Sequence, residues 1–471
     1  MKKSYVFILF ILLLPFSYVI AQQNDLKANY NEKTYNQFLA SDWDALIDTG
    51  KEALAQGVDF YYLRLRMGIA YGAQFNYRLA IVNYKKALEF VPSDPVAQEY
   101  LYYAYKYAGM KNTAIQYVKQ LPVALRRKID PERPPFIGNI YLETGYAVAD
   151  YTDNNLALIA AENSYFSELF KRESQSYFNF NLMLNLSDNI HLNAAYTGLG
   201  VNSEHLYQIA GLDQESEALD VKQNDFYLAL HVNNAKGFAF TPFFHNVNTS
   251  MQLTEVEFSL VSNDTNDEIE VTYTKSSSNL KWNDPLLGFG IFKQSGLFDF
   301  SASLSYSWLN LTEQQQFTGA VSFLPKGNYS LYFTPEIRLF NEDAEQRLIY
   351  KFTMGLSLTP KIWTETAFTY GNLKSTHENF GAIVFNLPDK TNYKFDAVIH
   401  YALKNGVSLS LRYQLTQKES ATTNTLLETT QISNGFGLGE GETSTLYELG
   451  EQETFTQFNQ HFIIVGLNWT I

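Results

Sequence analysis

The residues best equipped for chemistry are His191, His231, His245 and His400, with the charged side chains Glu143, Asp299, Glu336, Arg338, Lys351, Glu365, Lys394, Asp396 and Arg412. A hydrolase would use such a histidine as a general base beside an activated serine, or would place a carboxylate pair near its site. His400 and Asp396 share one face of a single extended segment, but four residues at strand rise hold them roughly 13 Å apart. Direct pairing is not expected. No phosphate-cradling glycine loop, metal-spaced histidine pair or nucleophile elbow occurs. The charges read instead as neighbours of opposite sign on one face, Glu336 with Arg338 and Lys394 with Asp396. Together with Lys351 and Arg412 they either fill a narrow polar interior with ion pairs or line a polar path through it. The chain is therefore expected to be no enzyme, with neither cofactor nor metal.

What must position these side chains is a set of strands. Val407, Leu409, Leu411, Tyr413 and Leu415 alternate with Ser408, Ser410, Arg412 and Gln414. Phe298 to Trp308 and Leu348 to Leu358 repeat the pattern, one face apolar and the other polar. With further candidates near 138–151, 175–186, 189–200, 223–233, 237–248, 279–293, 315–324, 329–340, 362–373, 391–403 and 455–471, about fourteen strands are expected, an even number as single-chain barrels require. Short turns such as Ser187-Asp188-Asn189, Asn234-Ala235-Lys236-Gly237 and Lys404-Asn405-Gly406 alternate with long segments near 152–174, 201–222, 249–278, 374–390 and 419–454. Alternation of that kind predicts a transmembrane antiparallel β-barrel over residues 136–471, its long segments forming extracellular loops. In the last segment Val465, Leu467, Trp469 and Ile471 share one face, as a closing strand and insertion signal would require. A sheet in lipid leaves no edge unpaired. Acidic residues such as Glu440 and Glu442 crowd the last long segment and read as a solvated face or as a site for divalent cations.

Composition agrees with that architecture. Of 471 residues, 46% are hydrophobic, yet mean hydropathy is only −0.21, which excludes a bundle of membrane helices. Aromatic residues make up 15% of the chain, an excess that girdles at two membrane interfaces would explain. A net charge of −14 argues against a nucleic-acid partner. There is no cysteine, hence no disulfide framework or thiolate metal site. Lys2 and Lys3 followed by the apolar run to Leu14 and by Val19-Ile20-Ala21 predict a signal peptide over residues 1–21.

Residues 22–121 have helical periodicity instead. Arg64, Met67, Gly68, Tyr71, Ala80, Tyr84, Ala87 and Pro92 are followed 34 residues later by Leu101, Tyr102, Tyr105, Ala114, Val118 and Leu121. This spacing resembles the tetratricopeptide repeat (TPR), so a small all-α TPR-like domain is expected. Its docking residues would be Arg64, Met67, Gly68, Tyr71, Ala80, Tyr84, Ala87, Tyr102 and Tyr105, with Tyr100, Tyr103 and Tyr107 as further contacts. Pro122 to Pro135 is read as a stiff linker without regular structure. The whole layout resembles the tetratricopeptide-barrel outer-membrane proteins, whose better-known members export exopolysaccharide. That resemblance implies an outer-membrane location, assembly by the barrel-insertion machinery, and a periplasmic domain that docks a protein of the periplasm or outer membrane. The expected function is a component of an envelope assembly, transport or secretion complex; the alternative is a channel for export or uptake of polysaccharide or another solute.

Overall fold

The computed structural model describes residues 25–131, 133–151, 164–210, 212–234, 236–262, 269–342, 345–386, 389–433 and 443–471. The expected signal peptide lies outside them. Among the described residues seven helices come first. Residues 25–39 form α1, followed by α2 (Trp43–Ala55), α3 (Tyr61–Ala73), α4 (Tyr77–Phe90), α5 (Pro95–Tyr107), α6 (Lys111–Val118) and α7 (Val123–Ile129). The side chains of Asp42, Asn76 and Asp94 each accept a hydrogen bond from the backbone N–H three residues on, satisfying donors that the first helical turn leaves free. Helix starts at 43, 77 and 111, and at 61 and 95, are 34 residues apart. Their facing sides bury Leu46, Leu63, Met67, Ala80, Tyr84, Leu101 and Tyr105 in one core.

The seventh helix corrects the linker expectation. Pro122 stands at its N-cap, where a missing N–H costs nothing, and the next proline is Pro131. Leu125 and Ile129, one turn apart, both reach the helical core. Only the stretch after Asp130, which takes a left-handed conformation, is left to connect the two halves.

The second half is a closed barrel. Its strands are β1 (Ile137–Asp150), β2 (Ser164–Asn185), β3 (Ile190–Ile209), β4 (Glu215–Asn233), β5 (Phe238–Ser262), β6 (Ile269–Ser295), β7 (Phe298–Ser307), β8 (Gln314–Phe323), β9 (Leu331–Glu342), β10 (Glu345–Thr359) and β11 (Ile362–Tyr370). Two short strands, β12 (His377–Glu378) and β13 (Ile383–Val384), stand apart, and β14 (Lys390–Ala402), β15 (Val407–Ser433) and β16 (Thr443–Thr470) complete the ring. Fourteen strands pair antiparallel with their neighbours, and β16 meets β1 from Asn139 opposite Thr470 to Asp150 opposite Asn459. Every ladder therefore has a partner, the condition for a sheet in lipid.

Alternation assigns the two faces. Ile463 is 61% exposed while Ile464 is 6% exposed, so one side chain points outward and the next inward. Leu348, Tyr350, Phe352 and Met354, Leu409, Leu411 and Tyr413, and Val465, Leu467 and Trp469 are all exposed on the outer surface, forming an apolar belt. Charge on that belt is costly. Val465→Arg is expected to lower barrel stability by about 2–4 kcal/mol if the position lies near the bilayer midplane. Loss of the heat-modifiable species from the membrane fraction would show it, and an unchanged amount would count against lipid contact.

The long segments depart from expectation. Segments 201–222 and 249–278 continue largely as paired strand, out to Tyr207 opposite Glu215 and Ser262 opposite Ile269, because their polar and β-branched alternation keeps the ladder satisfied. β15 and β16 likewise stay paired to Ser433 and Thr443. Beyond the end of β14, the free edge of β15 pairs with β2 from Thr422 opposite Leu169 to Leu426 opposite Ser164, joining two strands that β16 and β1 separate lower down. Of the remaining long segment, residues 371–386 run inward.

The helices pack against the short-turn end of the barrel. Lys119 pairs with Asp188 at 2.8 Å, Gly237 lies against Met110 and Thr113, and Asn328 donates to the Phe75 carbonyl. Arg78 is the centre of this contact. Its guanidinium makes two bonds to Asp299, at 2.9 and 3.1 Å, and the Tyr329 hydroxyl donates to the same carboxylate at 2.7 Å. The backbone N–H of Arg78 donates to the Gly327 carbonyl, so a barrel turn satisfies a free donor of α4. Gly327 has φ +61°, and a Cβ there would collide with the Asn76 cap, so the turn requires glycine on both counts.

Candidate functional site: the lumen and its plug

Between β11 and β14 the chain turns into the barrel and forms the β12–β13 hairpin, with His377 opposite Val384 and Glu378 opposite Ile383. Its tip places Asn379, Phe380 and Gly381 at φ +53°, +54° and +80°. A left-handed phenylalanine costs roughly 1–2 kcal/mol and persists only where surrounding contacts dictate it. Here the barrel wall does so. The Phe380 ring lies over Gly290, whose Cβ would come within 2.7 Å of it; Tyr227 donates to the Phe380 carbonyl at 3.2 Å; and His245 Nδ1 lies 2.6 Å from the Gly381 carbonyl. A carbonyl only accepts, so Nδ1 of His245 carries the proton.

The polar anchor is Glu378. Its carboxylate lies 2.8 Å from Lys351 Nζ, 3.1 Å from Lys394 Nζ and 3.0 Å from Arg338 Nη2. Arg338 also pairs with Glu336 at 2.7 Å, and Lys394 with Asp396 at 3.2 Å. Three cations thus face three carboxylates, and one carboxylate comes from the plug. A second anchor holds the end of the hairpin segment, where Asp389 contacts the buried Arg172, Lys418 at 3.9 Å and the Ser420 hydroxyl at 3.5 Å.

His377 completes the attachment. Its backbone exchanges hydrogen bonds with the Gln316 side chain, and Nε2 shares a 2.6 Å bond with the Ser305 hydroxyl. This is a serine–histidine contact, but both residues are buried and His377 Nδ1 has no partner, so the pair lacks an orienting carboxylate and anchors the plug instead. Burial, with Arg338 and His245 nearby, pushes the imidazole down to about 3. A released loop would protonate His377 near its ordinary value of about 6.5. Plugging is then strongest above that pH and weakens as pH falls toward 3, by about 1.4 kcal/mol per unit. Glu378 acts in the same direction: burial raises its carboxyl, but Lys351, Lys394 and Arg338 outweigh burial and hold it well below the usual range, so its contribution is lost only as pH falls through that depressed value. Acidification from neutral to pH 4.5 is expected to increase plug release, read as conductance in planar bilayers, and His377→Gln should flatten the profile. A flat profile for the unaltered chain would refute this.

The plug leaves a cavity of about 400 Å³ against the wall, bordered by Tyr141, Tyr177, Lys351, Lys394, Arg412 and Phe462 among others. Glu143 accepts from the Tyr141 and Tyr177 hydroxyls at 2.7 and 3.1 Å and lies 3.4 Å from Arg412.

The structure brings Glu336, Arg338, Lys351, Lys394 and Asp396 together around Glu378, while Arg412 joins Glu143. The histidines do not assemble. His191 faces His231 across β3 and β4, and His400 stacks on Trp363 at 4.5 Å, far from any pairing with Asp396. Met67, Gly68, Tyr71, Ala80, Tyr84, Ala87, Tyr102 and Tyr105 are buried between helices, and Arg64 binds Asp59 and Asn83. Repeat-signature positions are those where helices touch, which is why they pack. Tyr100 and Tyr107 remain exposed. Val465, Leu467, Trp469 and Ile471 face outward. Sequence reasoning missed Glu378, Asp389, Arg172 and Lys418. A signal existed: Phe380, Ile383, Val384 and Phe385 make segment 374–390 too apolar for a solvated loop. Among the described residues no group of three or more His, Asp or Glu side chains is placed to hold a metal ion; Glu440 and Glu442 lie outside them.

No family model matches the chain, and no curated protein matches it either. Among solved structures it is similar to a FadL homologue from Pseudomonas aeruginosa, at 8% identity over 80% of this chain and 94% of that one, with a TM-score of 0.43. It is also similar to the toluene transporter TodX of Pseudomonas putida, at 8% identity over 71% and 90% with a TM-score of 0.39, and to OccAB3 of Acinetobacter baumannii, at 11% identity over 71% and 99% with a TM-score of 0.29. Overlap at this level does not carry the cargo of those proteins to this chain.

Proposed function

We propose that the chain is an outer-membrane channel, held shut by a plug formed by residues 371–386, with its helical domain seated on the periplasmic end. The apolar belt and complete ring closure support the membrane location. The observation that carries the channel reading is the plug's mode of attachment. A permanent filling would be most stable with apolar packing, whereas buried ion pairs return little more than their desolvation costs. The plug keeps apolar contacts through Phe380, Ala382 and Val384 and hydrogen bonds at His377, but its charged anchors, Glu378 and Asp389, contribute little net stability, so it can leave when they are challenged. Planar-bilayer recording tests this: the full chain should show rare openings, and a chain lacking residues 376–385 should show stable conductance. A deletion variant that still forms a heat-modifiable barrel but conducts nothing would overturn the channel.

A second reading, recruitment of a periplasmic protein, is favoured by the exposed aromatic side chains Tyr62, Phe75, Tyr100 and Tyr107 on the helical domain, since aromatic residues are enriched at interfaces. Crosslinked pull-down with Tyr100→Ala and Tyr107→Ala tests it. An unchanged partner list would sink the docking role for this face.

A further inference from the structure

We propose that the solute of this channel is an oligopeptide carrying an acidic residue two positions before an aromatic one, and that residues 377–381 of the plug occupy its seat until it displaces them. The proposal rests on the channel reading above and names the substrate class of the same lumen.

The wall holds the tip of the plug by its main chain. The Gln316 side-chain amide accepts from the His377 N–H at 3.2 Å and donates to the His377 carbonyl at 2.9 Å, so one amide takes both hydrogen-bonding groups of one residue. Tyr227 and His245 donate to the carbonyls of Phe380 and Gly381, at 3.2 and 2.6 Å. These bonds use groups that every peptide owns, whatever its side chains. The three wall residues are buried and stand on β8, β4 and β5, so ring closure fixes where they point. Gln316 also donates to the Thr318 hydroxyl at 3.0 Å, a bond within β8 that orients its amide independently of the plug. The wall is thus set to receive polypeptide backbone, and an unplugged lumen leaves these enclosed donors and acceptors in need of one.

Two side-chain seats add a sequence preference. Glu378 enters between Arg338, Lys351 and Lys394, and two residues on the Phe380 ring lies over Gly290 against the apolar cluster of Phe243 and Leu286. The lumen as a whole is charge-mixed, with Lys351 and Lys394 sharing the border of the 400 Å³ cavity with Glu365 and Asp396, so net charge does not select the solute. Much of the remaining border is side-chain amide, from Gln175, Asn179, Asn181, Gln414 and Gln460, and each amide both donates and accepts, as peptide groups do. The cavity lies against Glu378, Asn379 and residues 382–385, which gives an incoming peptide room beside the plug before it takes the plug's place. That volume suits a peptide of a few residues rather than a folded domain.

The test uses the full chain and the chain lacking residues 376–385, each in planar bilayers, with the probe acetyl-Ala-Glu-Asn-Phe-Gly-Ala-amide. Its Asn and Gly are kept because both tolerate the left-handed conformation found at Asn379 and Gly381. In the full chain the probe should raise the opening frequency by displacing the plug, whereas an equimolar mixture of its free amino acids should not. In the deletion variant it should block the current transiently. N-methylation of its first alanine, which removes the donor to Gln316, should raise the half-blocking concentration roughly tenfold or more, the factor for losing about 1.4 kcal/mol. Gln316→Leu should raise it for the unmethylated probe and leave methylation without further effect. An opening frequency that the probe leaves unchanged, or block that neither methylation nor Gln316→Leu weakens, would overturn the peptide assignment while the channel stands. A deletion variant that forms a heat-modifiable barrel without conductance would overturn the channel itself.

Discussion

Glu378→Ala should expel the plug from the lumen. The substitution leaves Arg338, Lys351 and Lys394 facing only Glu336 and Asp396, so one buried cation loses its counter-charge. Removing one partner from a buried ion pair typically costs about 3–5 kcal/mol, and that cost falls on the plugged state. In the released state the cations gain water. A hairpin whose tip already stores strain at Asn379 and Phe380 has little to set against such a loss. Because the chain has no cysteine, a single Thr376→Cys reporter, at a residue 0% exposed, reads release directly through maleimide labelling. Labelling should be slow in the reporter alone and at least tenfold faster with Glu378→Ala. Equal rates would show that the ionic anchor does not hold the hairpin. Glu378→Gln, which keeps size and some hydrogen bonding, should fall between.

The second large effect concerns the seat of the helices. Arg78→Leu leaves Asp299, 3% exposed, without its bidentate partner, at an expected cost again of about 3–5 kcal/mol. The other contacts there, the Arg78 backbone bond to Gly327, the Asn328 and Gln116 bonds, the Lys119 pair and the packing of Gly237 on Met110 and Thr113, are neutral or exposed and individually weaker. The helical domain should then detach while the barrel stays intact. Limited proteolysis should release a helical fragment by cleavage after Asp130, and helix melting should separate from barrel melting. Arg78→Leu combined with Asp299→Leu is expected to cost less than either change alone, since no uncompensated charge remains. Additive losses in that cycle would show that the pair does not act as a clamp.

The two anchors differ in how far the sequence announces them. Alternation at Val407 to Leu415 or Phe298 to Trp308 is a local property, and a period of two in a segment with one lipid face admits a single structure. The strand count, the short turns and the closure of β16 on β1 could all be read in that way. The 34-residue recurrence through Met67, Ala80, Leu101 and Ala114 made the helical pairs legible for the same reason: contacts between consecutive helices are near in sequence. Tyr84 and Tyr105 were legible as repeat positions, and their packing role follows from where helices must touch. Segment 123–129 was misread because the flanking prolines masked the Leu125 and Ile129 spacing between them.

The sequence by itself therefore determined the two-part architecture, the ring of fourteen strands and the outward apolar face, because each is set by side-chain periodicity that one segment carries alone. Only the tertiary structure decided that the 371–386 segment enters the lumen, that Glu378 meets Arg338, Lys351 and Lys394, and that Arg78 reaches Asp299. Those meetings depend on ring closure and strand register, which set the height of each inward charge around the barrel, and on docking between residues 221 positions apart in the case of the clamp. Local pattern has no information about height, so an inward Lys351 was legible and its partner was not.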